Sequence, residues 1–236
     1  MDVPLLQISR LCSRYGRARI LDNVDLVVGR GETVALLGRN GAGKSTLLKS
    51  IIGLVREKTG SVRFLGQEIS ALPPFRICRI GIGYVPEERR IFRELTVREN
   101  LEVGRRYRGR APRWPLERIL EVFPNLAGML DRLGGHMSGG EQQMLTIART
   151  LQGDPDLILL DEPSEGLAPV IVEEMATMIR NLRREGLAIL LSEQNMRFAN
   201  QISDRAYIIE RGSIRFSGAM REVAASEELH ARYLAL

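Results

Sequence analysis

Short apolar runs broken by polar turns dominate the first forty positions. Residues 4–11 and 24–28 read as strands, and Gly29, Arg30, Gly31 and Glu32 as the turn before the next. The continuous apolar character of residues 33–37 predicts a buried strand, which runs directly into a glycine-rich segment at 38–46. Behind that segment Leu47, Leu48, Ile51, Ile52 and Val55 recur at helical spacing, with Gly53 near the helix end. Strands over 61–65 and 81–85 follow. From about 87 to 154 the texture turns helical, with one apolar stripe at Leu116, Ile119, Leu120 and Phe123 and a second at Met144, Ile147, Ala148 and Leu151. Beyond it the spacing predicts a strand at 157–160, a helix at 170–183, a strand at 188–192 and a helix at 195–202, then strands at 206–210 and 213–216. That order predicts an α/β fold with a mostly parallel sheet flanked by helices and a helical insertion near its middle. The sequence shows no internal repeat and no low-complexity segment.

Composition narrows the class. With 236 residues, 44% of them hydrophobic and 27% charged, the chain suits one large globular domain rather than disorder. No apolar run approaches the roughly 20 residues that cross a bilayer. The amino terminus lacks the basic start and apolar stretch of a signal peptide, so the expected compartment is the cytosol. Cys12, Cys78, His136 and His230 have no metal-ligand spacing, which argues against a zinc site or a disulfide framework. The net charge is +5, and all but Lys44, Lys49 and Lys58 of the 34 basic residues are arginine. So lopsided a ratio reads as codon bias of a G+C-rich genome more simply than as selection for phosphate contacts. The run Arg105, Arg106, Arg108, Arg110 and Arg113, interleaved with Tyr107 and Trp114, is either a solvated face or a protein, headgroup or nucleic-acid contact.

Three motifs carry chemistry. In the first, Gly38 is followed after four residues by Gly43, Lys44 and Ser45. Several backbone N–H groups must converge on one anion there, and glycines leave the approach open while the following helix adds its positive end. Lys44 would reach the β- and γ-phosphates, the Ser45 hydroxyl would bind Mg²⁺, and Thr46 would contact the α-phosphate. In the second, the apolar residues 157–160 deliver Asp161 and Glu162 at the carboxyl end of a central strand, where ligands of such sheets bind. Asp161 would hold Mg²⁺ through water and Glu162 would orient or deprotonate the attacking water. In the third, Ser138 and Glu141 fit a capping box, and Gly139 and Gly140 between them bare the N–H groups of a helix start, a second anion site. One copy cannot easily wrap a nucleotide with both sites; two copies, head to tail, can.

On these motifs the sequence resembles the ATP-binding cassette (ABC) family over essentially its whole length. Residues 38–46 look like Walker A, 137–142 like the signature motif and 157–162 like Walker B with the catalytic glutamate, and 164–167 fall where that family has its D-loop. The resemblance implies a P-loop NTPase fold in one ATPase domain over 1–236. Its core would take 1–86 and 155–236, with an antiparallel β subdomain, and its helical signature subdomain 87–154. It implies ATP and Mg²⁺ as cofactors, with ATP held between Gly38, Asn40, Gly41, Gly43, Lys44, Ser45 and Thr46 of one subunit and Ser138, Gly139 and Gly140 of the other. Tyr15 matches the aromatic that stacks on adenine, or is a structural strand tyrosine. Two positions depart from the family pattern. Glu87 replaces the usual glutamine and can still meet the Mg²⁺–water shell, and Gln194 replaces the switch histidine and can bind a γ-phosphate but cannot become a cation.

Residues 85–101 together with Ser192, Glu193, Gln194 and Asn195 resemble one subgroup, the ATPase subunits of importers of branched-chain amino acids, urea and short-chain amides. The implied partners are a second cassette, identical or similar, two integral membrane permease subunits and, indirectly, a solute-binding protein, with no nucleic acid. The implied location is peripheral, on the inner face of the cell membrane. The surface near 89–96 would hold a permease helix, with Ile91 and Phe92 as contact or as core. Two other readings stand beside the importer: a regulatory module that closes on ATP without useful turnover, and a non-transport cassette.

Overall fold

The computed structural model describes residues 3–106, 109 and 111–234. Strands β1 (Leu6–Tyr15) and β2 (Ala18–Val28) form a hairpin, and β3 (Thr33–Leu37) leads through a tight loop into helix α1 (Lys44–Ile51). Strands β4 (Lys58–Phe64) and β5 (Gln67–Glu68), helix α2 (Pro74–Ile80) and strand β6 (Ile82–Val85) complete the first part. Four helices then follow: α3 (Val97–Gly104), α4 (Leu116–Val122), α5 (Pro124–Ala127) and α6 (Gly139–Leu151). The chain returns as β7 (Leu157–Asp161), α7 (Pro169–Arg184), β8 (Ala188–Glu193) and α8 (Met196–Ile202). It ends with β9 (Arg205–Glu210), β10 (Ser213–Ala219) and α9 (Met220–Ala225) before the last turns.

The strands build two sheets. One is antiparallel in the order β2-β1-β4-β5; the other runs β10-β9-β3-β8-β7-β6, parallel except for β10 at its edge. The mostly parallel sheet, the antiparallel sheet and the helical insertion expected of the sequence are all present. The central strands read as unbroken apolar runs because both their faces are covered. Val34, Leu36, Leu157, Leu159 and Leu190 share a buried cluster with Leu47, Leu48 and Ile51 of α1 and with the antiparallel sheet. Ala35, Leu37, Ile158, Leu160 and Leu191 face the other way, onto α6, α7 and α8. The parallel register brings Leu37 opposite Glu193 and Asp161 opposite Ser192, so the carboxyl ends of β3, β7 and β8 meet at one edge.

Local chemistry sets the differences from the expected elements. β1 continues past residue 11 to Tyr15, and β2 begins at Ala18 rather than 24, because Gly16 takes a left-handed turn that lets the exposed arginine-bearing ends pair. Helix α2 is absent from the expectation; of its residues only Ile77 is buried, which is too little to mark a helical stripe. In the basic run, Tyr107, Arg108 and Arg110 lie outside the described residues. Arg105 pairs with exposed Glu102 at 3.2 Å, whereas Arg113 is drawn onto the Pro155 carbonyl oxygen and the carboxylates of Asp154 and Asp156, beside buried Trp114. Ile91 and Phe92 also separate. Ile91 packs against the core, and Phe92 stays 48% exposed with the Arg149 guanidinium 5.1 Å from its ring centre.

Candidate functional site

The loop from β3 to α1 is held open by its glycines. A Cβ at Gly38 would run into the carbonyl oxygen of Ile209, and Gly43 caps α1 at φ +112°, a conformation that L side chains rarely adopt. Since no side chain caps α1, the first N–H groups of the helix are left for an anion. Lys44, 3% exposed, folds back so that its ammonium donates to the carbonyl oxygens of Gly38 at 2.7 Å and Arg39 at 3.2 Å. Asn40, Gly41, Gly43, Lys44, Ser45 and Thr46 line one wall of a cleft of about 510 Å³, and Glu87, Glu162 and Glu165 line the facing side.

The end of β7 is tied to that loop by hydrogen bonds. Oδ1 of Asp161 accepts from the hydroxyls of Ser45 at 2.9 Å and Ser192 at 2.8 Å, and Oδ2 accepts from the Tyr84 hydroxyl at 3.1 Å. Glu162 then turns into the left-handed region at φ +45°, held there as its N–H donates to the carbonyl and hydroxyl oxygens of Ser192. Its carboxylate, 9% exposed, takes the Lys44 ammonium on Oε1 at 3.1 Å and the Gln194 amide on Oε2 at 2.8 Å. The same amide donates to Asn40 Oδ1 at 2.6 Å. Lys44, Asn40, Glu162 and Gln194, from three separate stretches of sequence, thus form one connected group.

The electrostatics follow this geometry. Burial alone would raise the Glu162 carboxyl, but the Gln194 amide and the Lys44 charge hold it below the ordinary value, so it stays ionised at neutral pH. Its neighbour Glu165 is pushed the other way, first by sharing a hydrogen bond with Glu162, then by burial and by the negative charges of Glu162, Glu87 and Glu193. Tyr84 is raised by burial and by Asp161, so its hydroxyl remains a donor. A carboxylate fixed beside an ammonium and an open row of N–H groups can bind a polyphosphate and activate water at its end. The oxygens of Ser45 and Asp161, together, are hard donors suited to Mg²⁺.

Other expected residues lie outside this group. Tyr15 ends β1 and is 51% exposed; it does not line the cleft, which takes Ile20 of β2 instead. Glu87 reaches the rim as an exposed side chain. Ser138, Gly139 and Gly140 open α6 away from the cleft, with the capping box formed: Glu141 N–H donates to Ser138 Oγ at 3.3 Å, and Ser138 N–H to the Glu141 carboxylate at 2.6 Å. There the guanidinium of Arg89 covers Gly139 so closely that a Cβ would stand 2.6 Å from Nη1. The sequence placed Arg89 only on the expected permease surface and Glu193 and Asn195 only in the subgroup resemblance, and it gave Tyr84 no role; Ser192, the last residue of the predicted 188–192 strand, carried a signal that could have found its bond to Asp161.

The family described as ABC transporter matches residues 21–165. The high-affinity branched-chain amino acid transport ATP-binding protein BraG of Pseudomonas aeruginosa is 44% identical, across 89% of this chain and 91% of its own. The lipopolysaccharide export system ATP-binding protein LptB of Haemophilus influenzae is 37% identical, across 98% and 97%. Among solved structures, a nucleotide-free ATP-binding cassette from an ABC transporter superposes with a TM-score of 0.84 at 26% identity, covering 96% of this chain and 97% of that one.

Proposed function

The chain belongs to the ABC transporter family as an ATP-binding ATPase, and from that premise we propose that it drives the import of branched-chain amino acids, with urea and short-chain amides as the nearest alternatives. The likeness to BraG supports this solute class, and the 37% likeness to LptB keeps lipopolysaccharide export as the second reading. No helix among the described residues is long and apolar enough to cross a membrane. The chain would therefore act on integral permease subunits from the inner face of the membrane, with a solute-binding protein upstream.

The observation that carries the mechanism is the group formed by Lys44, Glu162, Gln194 and Asn40. The N–H groups of the 38–46 loop and the Lys44 ammonium bind the β- and γ-phosphates of ATP. Ser45 and Asp161 would hold Mg²⁺, with Glu87 at the rim as a further oxygen donor, and the ion would supply neutralisation of phosphate charge. Glu162 accepts a proton from the attacking water, and Gln194 orients Glu162 and meets the γ-phosphate. Ser138, Gly139 and Gly140 lie outside the cleft of their own chain, which fits their closing over a nucleotide held by a second cassette. Tyr15, exposed at the end of β1 and outside the cleft wall, would offer a stacking face only to an adenine that reaches beyond Ile20.

The test is reconstitution with the permease subunits in vesicles. ATP-dependent uptake of labelled leucine that disappears with Glu162→Gln supports the proposal. Turnover that responds to lipopolysaccharide and not to leucine, urea or amides would move the chain to the export reading.

A further inference from the structure

Glu193, the last residue of β8, is 2% exposed, and no described side chain gives it a cation. A buried carboxylate is tolerated when its oxygens are fully used. Here each oxygen serves a different loop. Oε1 accepts from the N–H of Ser164 at 3.1 Å, while Oε2 accepts from those of Gln194 and Asn195, both at 3.0 Å. Ser164 follows Glu162 by two residues and opens the turn toward Gly166. Gln194 is the residue whose amide reaches both Glu162 and Asn40. A single two-ended acceptor therefore spans the turn that follows Glu162 and the segment that carries Gln194. An apolar residue of equal volume would leave three buried N–H groups without a partner.

We infer that Glu193 is a positioning residue for ATP hydrolysis, locking the 164–167 turn to Gln194 so that the amide stays aimed at Glu162. The inference rests on the catalytic reading of Glu162 and Gln194. Ser164 and Gln194 are held by one carboxylate, so a displacement of the 164–167 turn is transmitted to the Gln194 amide. Glu193 touches neither nucleotide nor water itself.

The experiment is steady-state ATPase kinetics of the purified full chain carrying Glu193→Gln or Glu193→Asp. The glutamine amide has one acceptor oxygen, so it can take the backbone N–H groups of only one loop, its NH2 end being left to the Ser164 hydroxyl that also bonds Glu193. The aspartate keeps its charge and its bonds to Gln194 and Asn195 but falls a methylene short of Ser164. Both variants are expected to lose at least about tenfold in kcat while KM for ATP stays within about twofold, because ground-state binding is untouched. The double variant Glu193→Asp/Gln194→Ala is expected to turn over within about twofold of Gln194→Ala alone, since Glu193 acts through the Gln194 amide. A kcat within about twofold of the wild type in Glu193→Asp, or fully additive losses, overturns the inference, and the aspartate variant decides it even if the glutamine variant does not fold. Retention of turnover by Glu162→Gln in the same assay would instead overturn the catalytic reading beneath it.

Discussion

The Lys44 ammonium and the Glu162 carboxylate lie 3.1 Å apart, both nearly shut off from solvent. Phosphate binding and water activation would therefore share one ion pair: the cation proposed to meet a γ-phosphate also holds the candidate base ionised and in place. A phosphate bound to Lys44 would compete with Glu162 for the ammonium.

Breaking this pair from one side leaves the other charge buried. Lys44→Ala is expected to destabilise the fold by about 2 kcal/mol, and the double variant Lys44→Ala/Glu162→Gln to recover most of that loss. Urea unfolding of the four proteins closes the cycle; additive losses would show that the pair contributes nothing. In the ATPase assay Glu162→Gln alone is expected to lose about 100-fold in kcat or more.

The two glycine motifs should respond differently to a methyl group. Gly38→Ala sets a Cβ against the rigid Ile209 carbonyl oxygen, so the loop must move, and both thermal stability and ATP affinity are expected to fall sharply. At Gly139 the obstacle is the far end of the Arg89 side chain, which can swing aside. Gly139→Ala is therefore expected to melt within a few degrees of the wild type and bind ATP normally, yet to fail in ATP-driven association. Calorimetry and nucleotide titration distinguish the two patterns.

Ile91 and Phe92 are neighbours in sequence with different surroundings. Ile91→Ala is expected to cost about 1–2 kcal/mol of stability, since Ile91 packs on the core. Phe92→Ala should leave stability and soluble ATPase activity nearly intact and reduce coupled transport, because the ring is 48% exposed, with the Arg149 guanidinium over it. Equal destabilisation by both would contradict the assignment.

Acid sensitivity has a local contributor in the antiparallel sheet. Burial would raise the Glu68 carboxyl, but hydrogen bonds from Ser61, Ser70 and Val62 outweigh it and hold it at about 2, below the ordinary value of 4.5. A carboxyl depressed in the fold adds stability that is complete above about pH 4.5 and is lost as pH falls toward 2. Glu68→Gln is therefore expected to melt lower than the wild type at pH 7, with the gap closing by pH 2 in parallel denaturation curves.

Much of this site was legible because it is local. The 38–46 loop is a continuous stretch whose glycines and lysine state their purpose, and Asp161 and Glu162 sit at the end of an apolar strand. The contacts that make them one machine were not legible. Gln194 reaches Asn40 across 154 residues of sequence, and Ser192 meets Asp161 across 31; only the register of β3, β7 and β8 brings them together. Arg89 could not be placed over Gly139 without knowing how the segment after β6 turns, for Arg89 and Arg90 both adopt left-handed backbone that no spacing announces. Helix α2 went unseen for a similar reason: its burial rests on Ile77, and one residue does not make a period.

Two cassettes are proposed to close on ATP, with residues 38–46 of one and Ser138, Gly139 and Gly140 of the other completing the site. Size-exclusion chromatography of Glu162→Gln with and without ATP and Mg²⁺ tests it most directly. The expected result is a nucleotide-dependent shift from monomer to dimer, abolished by adding Gly139→Ala. A Glu162→Gln protein that binds ATP and stays monomeric, alone and mixed with a co-purified second cassette, would contradict it.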